Sequence, residues 1–230
     1  MLRKMVLFRK LFMNFAFIVN VACFEVRPQE EKAMFKLLTS ALVLMSSAAL
    51  AAPVQFKIAS EMKTLNIATV ENRTDLENFT GRTSEVSGTL TFDAVAKTGS
   101  GTLTVNGNSI GTGIAMRDSH MKSKDWMNFA AVPDIKFVAL SVKNLSGNDY
   151  EVKGTLTMNG KSMPVTAKAN VLFTKANEAT KGIGLGGDAL ALTTKFQVKL
   201  SDYGVTHPSI SSGRVGNILD VTVKAIATNK

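Results

Sequence analysis

Tyr150–Val171 reads YEVKGTLTMNGKSMPVTAKANV. In its first half Tyr150, Val152, Gly154, Leu156 and Met158 alternate with Glu151, Lys153, Thr155, Thr157 and Asn159. Successive side chains of a strand point to opposite faces, so this alternation describes a strand with one apolar and one solvated face. Asn159-Gly160 follows, a dipeptide suited to the positive φ angles of a two-residue hairpin. A second strand is expected over 162–173. A lone hairpin with one apolar face is marginal in water, so the rest of the chain must supply more of the same.

It does. Val86, Gly88, Leu90 and Phe92 alternate with Glu85, Ser87, Thr89 and Thr91. Leu190, Leu192, Phe196, Val198 and Leu200 share a face opposite Thr193, Lys195, Gln197 and Lys199. Leu219, Val221, Val223 and Ala225 alternate with Asp220, Thr222 and Lys224. Further strands are expected at 54–59, 64–71, 99–106 and 134–143, where Thr and Val enrichment supports them. Asn106-Gly107 and Ser146-Gly147-Asn148 supply turns. Some eight or nine evenly spaced strands with one apolar face predict an all-β sandwich or a closed antiparallel barrel. One stretch breaks the period. Gly111–Val132 shows no alternation, and Ile114, Met121, Trp126, Met127 and Phe129 fit short helical turns packed on the sheet, closed by Pro133. We expect one short helical insertion, about 113–130. Thr174–Asp188, with Gly182, Gly184, Gly186 and Gly187, is expected to be a flexible loop, and 201–217 a second long loop.

Composition removes several functions. The chain of 230 residues has one Cys and two His, which excludes a disulfide framework and makes a metal centre improbable. Of its net charge of +9, +4 lies in the first 51 residues, which hold Arg3, Lys4, Arg9, Lys10, Arg27, Lys32 and Lys36 against Glu25, Glu30 and Glu31. The remainder carries 20 basic and 15 acidic residues without runs, an ordinary solvated surface rather than a nucleic-acid footprint. Lys36, the apolar run Leu37–Met45 and Ala49-Leu50-Ala51 are the parts of a secretory signal peptide over 34–51, cut after Ala51. The apolar run is shorter than the ~20 residues that span a bilayer, so no stable membrane span is expected after processing. Residues 1–33 are expected to be a non-native or misassigned N-terminal extension, the alternative being a long bipartite leader. The mature domain, 52–230, is then periplasmic and free of Cys.

The most reactive-looking cluster is Arg117, Asp118 and His120. A hydrolase-like enzyme would use Asp118 to orient His120 as general base, yet residues two apart do not share a helical face and no nucleophile sits in a recognisable setting. The plainer expectation is that Asp118 caps a helix, Arg117 pairs with a carboxylate and His120 fills a semi-buried polar niche. His207-Pro208 reads as a turn. The glycines of 182–187 lack the strand-then-helix context and the Lys-Ser/Thr of a phosphate loop. No catalytic group, cofactor or metal is assigned.

Longer pieces carry the reading further. GTLTFD (88–93), MRDSHMKSKDWMNFAAVPDIKF (116–137), GTLTMNGKSMPVTAKANV (154–171), FQVKLSDYGV (196–205) and VGNILDVTVKA (215–225) occur in an order and spacing that resemble the YceI-like family over 54–227. The resemblance implies a secreted, lipocalin-like protein: an extended eight-stranded antiparallel barrel enclosing an apolar tunnel for polyisoprenoids or related long-chain lipids. Many members carry a His in the second strand; LNIATVENRTDLENFTGRTSEVSG (65–88) has none, which marks a variant branch. The residues then expected to touch ligand are Leu90, Phe92, Leu103, Met116, His120, Met121, Trp126, Phe137, Leu156, Met158, Val165, Val171, Phe196 and Val198. If Gly88 faces inward between Val86 and Leu90, it is expected to set the tunnel's width or to allow a strand bend. The implied function is carriage or storage of a long-chain isoprenoid or fatty-acyl lipid without chemistry. Apart from the resemblance, a homodimer is expected only because isologous dimers are the commonest oligomers. The rivals are a structural or adhesive β-domain with a filled core, and an enzyme built on His120.

Overall fold

The computed structural model describes residues 52–230; the expectations for residues 1–33 and for the signal peptide, 34–51, lie outside them. The strands are β1 (Val54–Ile58), β2 (Ile67–Arg73), β3 (Asn78–Thr83), β4 (Val86–Asp93), β5 (Thr98–Asn106), β6 (Asp134–Ser146), β7 (Asp149–Met158), β8 (Lys161–Thr174), β9 (Ala189–Lys199) and β10 (Ile218–Thr228). From β4 to β10 each strand pairs antiparallel with the next. β1 then closes the ring by pairing with both β4 and β10.

Ten strands make an eight-stranded barrel because two staves are each built from two pieces. β1 and β2 lie end to end along β10, which meets Ile58 at Ala227 and Ile67 at Lys224. β3 pairs with β2 and leads straight into β4, which pairs with β1. The break between β1 and β2 would strand backbone groups of β10, and Asn66 supplies them. This fully buried amide donates to the Ala59 carbonyl and accepts from the Ile226 N–H at 2.9 Å. A buried donor or acceptor left unmade costs more than the bond itself gains, so a side chain that serves both halves is what lets the strand break.

The expected strands appear within a few residues, and β3 is the one that was not foreseen. Its inward positions are Phe79, Gly81 and Thr83, too weak an apolar alternation to register. The Asn159-Gly160 hairpin has positive φ at both residues, 50° and 70°. The helical insertion is α1 (Ala115–Lys122) followed by turns to Ala131. It is not the sole helical piece. Part of the stretch expected to be a flexible loop, 174–188, is helical: α2 (Glu178–Gly182), where Asn177 and Thr180 form a reciprocal capping box, while 183–188 stays without regular structure. Leu185 beyond it is buried with Ala59 and Ala189. The 201–217 loop holds a turn of 3-10 helix (Leu200–Tyr203) and α3 (Pro208–Ser211), capped by His207 through Nδ1.

Of the two roles expected of Gly88, the structure supports the one that rests on backbone freedom. Its φ is +149°, and a Cβ there would stand 2.1 Å from the Thr102 carbonyl oxygen of β5. The residue allows two strands to close; it does not widen a tunnel.

Candidate functional site

Every stave turns apolar side chains inward, and the interior holds two clusters rather than one filled core. One gathers around Phe56, Phe92, Tyr150, Leu190 and Ala227. The other, at the end bearing α1 and α3, gathers around Phe129, Leu156, Met158, Leu200 and Tyr203. Both clusters line a single cavity of about 840 Å³ that follows the barrel's length. Strands of up to 14 residues, at ~3.3 Å each, give that cavity a long axis. Phe137 of β6 and Phe196 of β9 come from staves three apart and stack at 6.2 Å, forming a waist. Gly154 permits this, because a Cβ there would meet the Phe137 ring at 2.5 Å.

Polar groups are unevenly spread. The helix-bearing end of the cavity presents Glu77, Arg117, His120, Ser123, Asp125, His207, Ser209 and Arg214. Several of these are already engaged. Arg117 pairs with Glu77 and lies 4.1 Å over the Phe79 ring, tying α1 to β3. Trp126 stacks on His207 with ring centroids 4.2 Å apart, joining the insertion to the β9–β10 connection. Deeper in, Thr194 on β9 is 8% exposed and lines the cavity with no hydrogen-bond partner for its hydroxyl among the described residues. Outside the cavity, the buried Tyr203 hydroxyl is also unpartnered, and burial pushes its pKa up to about 12.

The chemistry expected of an enzyme does not assemble around His120. The Asp118 carboxylate accepts from the Thr112 N–H at 2.8 Å and the Thr112 hydroxyl at 2.6 Å, which hold its pKa below the usual carboxylate range. It is therefore turned to the loop entering α1 instead of to His120. It is not the N-cap either: Ile114 occupies that position and makes no side-chain cap bond. His120 is exposed at the cavity's rim, not held in a semi-buried niche. Among the described residues no cluster of His, Cys, Asp or Glu could hold a metal ion. No helix among them is long and apolar enough to cross a membrane.

The structure brings Leu90, Phe92, Leu103, Met116, His120, Met121, Trp126, Phe137, Leu156, Met158, Val171, Phe196 and Val198 together around this one cavity. Val165 is the exception. It packs against the helix-end cluster but borders an outer groove between β8 and β9, where pairing stops at Lys168 and Lys195. Sequence reasoning missed the contribution of β2, β3 and β10: Ala68, Val70, Phe79, Leu219, Val221 and Val223 all line the cavity. The alternation in β10 was visible and pointed to its three residues. Nothing local announced Phe79, or that His207 would reach the rim.

A long apolar cavity inside a closed eight-stranded antiparallel barrel, with polar groups gathered at one end, defines the class of fold. The YceI-like domain family model matches residues 53–227, and the chain belongs to that family. Protein YceI of Salmonella arizonae is 31% identical over 127 residues, 55% of this chain and 63% of that protein, so the match spans under two thirds of the curated relative. Among solved structures, Burkholderia cenocepacia BcnA superposes with a TM-score of 0.62 at 22% identity, over 72% of this chain and 98% of that one. A polyisoprenoid binding domain from Saccharophagus degradans, implicated in plant cell wall breakdown, gives 0.54 at 14% identity, over 76% of this chain and 98% of that one. At these identities the two structures establish the shared fold.

Proposed function

We propose that this chain is an exported, periplasmic binding protein that holds a long-chain isoprenoid or fatty-acyl lipid in the barrel. The carrying observation is the continuous cavity of about 840 Å³ with an overwhelmingly apolar lining drawn from all eight staves. An apolar cavity open to water is poorly solvated, and each methylene moved into it from water gains ~0.8 kcal/mol before the costs of ordering the chain. The polar end suits the ligand's polar group and the apolar length suits its tail. Membership of a family with a polyisoprenoid-binding structural relative supports the same lipid class. Export rests on the tripartite pattern of 34–51. The adhesive-domain alternative calls for a filled interior, and the enzyme alternative for an acid on His120; the cavity and the Thr112–Asp118 bonds favour neither.

The test is organic extraction of the protein purified from its native host, followed by mass spectrometry. The expected result is a near-stoichiometric long-chain lipid and a mature chain beginning at Ala52. Phe137→Asp or Leu156→Asp places an unpaired charge in the cavity, at a cost of several kcal/mol, and is expected to empty it. Leu192→Met, which nearly keeps volume, is expected to stay loaded. No extractable lipid in the wild-type protein would refute the reading.

A further inference from the structure

The barrel wall has a gap that neither the fold nor the cavity requires. β5 pairs with β6 from Asn106↔Asp134 to Gly101↔Ala139, and there the ladder ends. Both strands continue. β5 stays paired to β4 as far as Thr98, and β6 to β7 as far as Ser146. Over Thr98–Ser100 and Leu140–Ser146 their facing edges are therefore unpaired. A bulge between Ala139 and Ser141 bends β6 away at the point of separation. At the foot of the gap the Lys97 ammonium donates to the Gly147 carbonyl at 3.1 Å, joining the two neighbouring turns. The result is a window, bounded above by the last ladder pair and below by one hydrogen bond.

The window communicates with the cavity, and its outer rim carries exposed apolar side chains set among the polar Thr98, Ser141, Lys143, Asn144 and Ser146. Ser100 on one side and Val142 on the other both line the cavity. Outside it stand Val95, Leu140 and Leu145, exposed at 74%, 73% and 54%, and none of the three lines the cavity. The other openings are unlike it. At the helix-bearing end exposed Ile114 and Met116 line the passage together with charged and polar groups, and the Arg117–Glu77 pair and the Trp126–His207 stack brace it. The gap between β8 and β9 is rimmed by Arg73, Lys168, Lys195 and Asp220 and backed by Phe196. A hydrocarbon chain crossing the wall loses least where no fixed ion pair or ring stack bars the way and exposed apolar side chains flank the opening.

We propose that the β5–β6 window is a lateral portal through which the ligand's apolar chain enters and leaves the barrel. This rests on the lipid-binding reading and adds the route. A group that acts only on the route changes entry and exit by the same factor and leaves the equilibrium untouched, which separates a portal from a binding site.

The experiment follows uptake and release of cis-parinaric acid by stopped-flow fluorescence in the full-length protein. Leu140→Asp combined with Leu145→Asp puts charge on the exposed rim without touching the cavity. Both rate constants are expected to fall by about tenfold with Kd within about twofold of the wild type. Lys97→Ala releases the foot of the window and is expected to raise both rates. Leu76→Asp, on a 94% exposed residue in the β2–β3 turn at the helix-bearing end, is expected to change neither. Unchanged rates in the Leu140/Leu145 variant overturn the portal, as does slowing by Leu76→Asp, which would place entry at the other end. A changed Kd with an unchanged uptake rate also overturns it, because the rim would then be binding ligand. If the wild-type protein takes up no probe, the lipid reading fails and the portal with it; uptake at rates indifferent to the rim removes the portal alone.

Discussion

At the scale of single residues, two side chains and two glycines set the barrel's shape. Asn66 completes a broken stave by bonding to both of its neighbours, Ala59 and Ile226. Phe137 narrows the lumen to a waist because Gly154 leaves room beneath its ring. Gly88 lets β4 close on β5 with a backbone angle, +149°, that other residues rarely adopt. Gly88→Ala is accordingly expected to cost about 2–4 kcal/mol in a urea melt, from backbone strain together with the clash on Thr102. A loss of lipid capacity with full stability would restore the tunnel-width role expected from its place in the alternation.

At the scale of elements, α1 is held by few contacts, and one of them titrates. Asp118 accepts two bonds from Thr112, and these bonds depress its pKa. A depressed carboxylate contributes stability that is fully present above its unfolded pKa and is lost as pH falls through its folded pKa. The insertion is therefore expected to loosen below about pH 4, near and under the ordinary Asp value. Trp126 is the protein's single tryptophan and lies in the same insertion, so its emission reports the change directly. Asp118→Asn keeps an acceptor for Thr112 but cannot protonate; its emission is expected to be flat across that range. An acid transition identical to the wild type would assign the loosening to another group.

The contrast between elements also shows what local sequence carries. β7 and β8 were legible to within a residue because their alternation is nearly unbroken and their turn needs positive φ at Asn159-Gly160. β3 was not, because its buried positions include Gly81 and Thr83, whose burial comes from neighbours distant in sequence. α2 was read as loop for the same reason. Gly182 and the glycines after it suggest mobility, while the Asn177–Thr180 box and the burial of Leu185 with Ala59 hold the segment.

At the scale of the whole molecule, the cavity leaves the protein dependent on what fills it. Facing side chains that do not meet forfeit dispersion contacts, and a ligand that binds only the folded state restores them. Protein carrying its lipid at ~100 times Kd gains ~2.7 kcal/mol, which for a domain of this size corresponds to a rise of roughly 5–10 °C in Tm over the delipidated form. Scanning calorimetry before and after delipidation tests it, and equal melting temperatures would show that the cavity is not an occupied site.

From the sequence alone came the all-β class, the strand faces, the place of the helical insertion and the family. These follow from side-chain period, turn chemistry and ordered motifs, all of which act over a few residues. Most of the cavity's residues were legible on the same ground, because a strand's apolar face must turn inward wherever the strand is placed. The tertiary structure alone decided that ten strands would form eight staves, that Asp118 would bond to Thr112, and that His207 would reach Trp126. It alone left Val165 outside the cavity and opened the wall between β5 and β6. Those outcomes depend on how closure of the ring aligns strands far apart in the chain. Closure couples the stagger of every stave to that of its neighbours, and no local pattern encodes the sum.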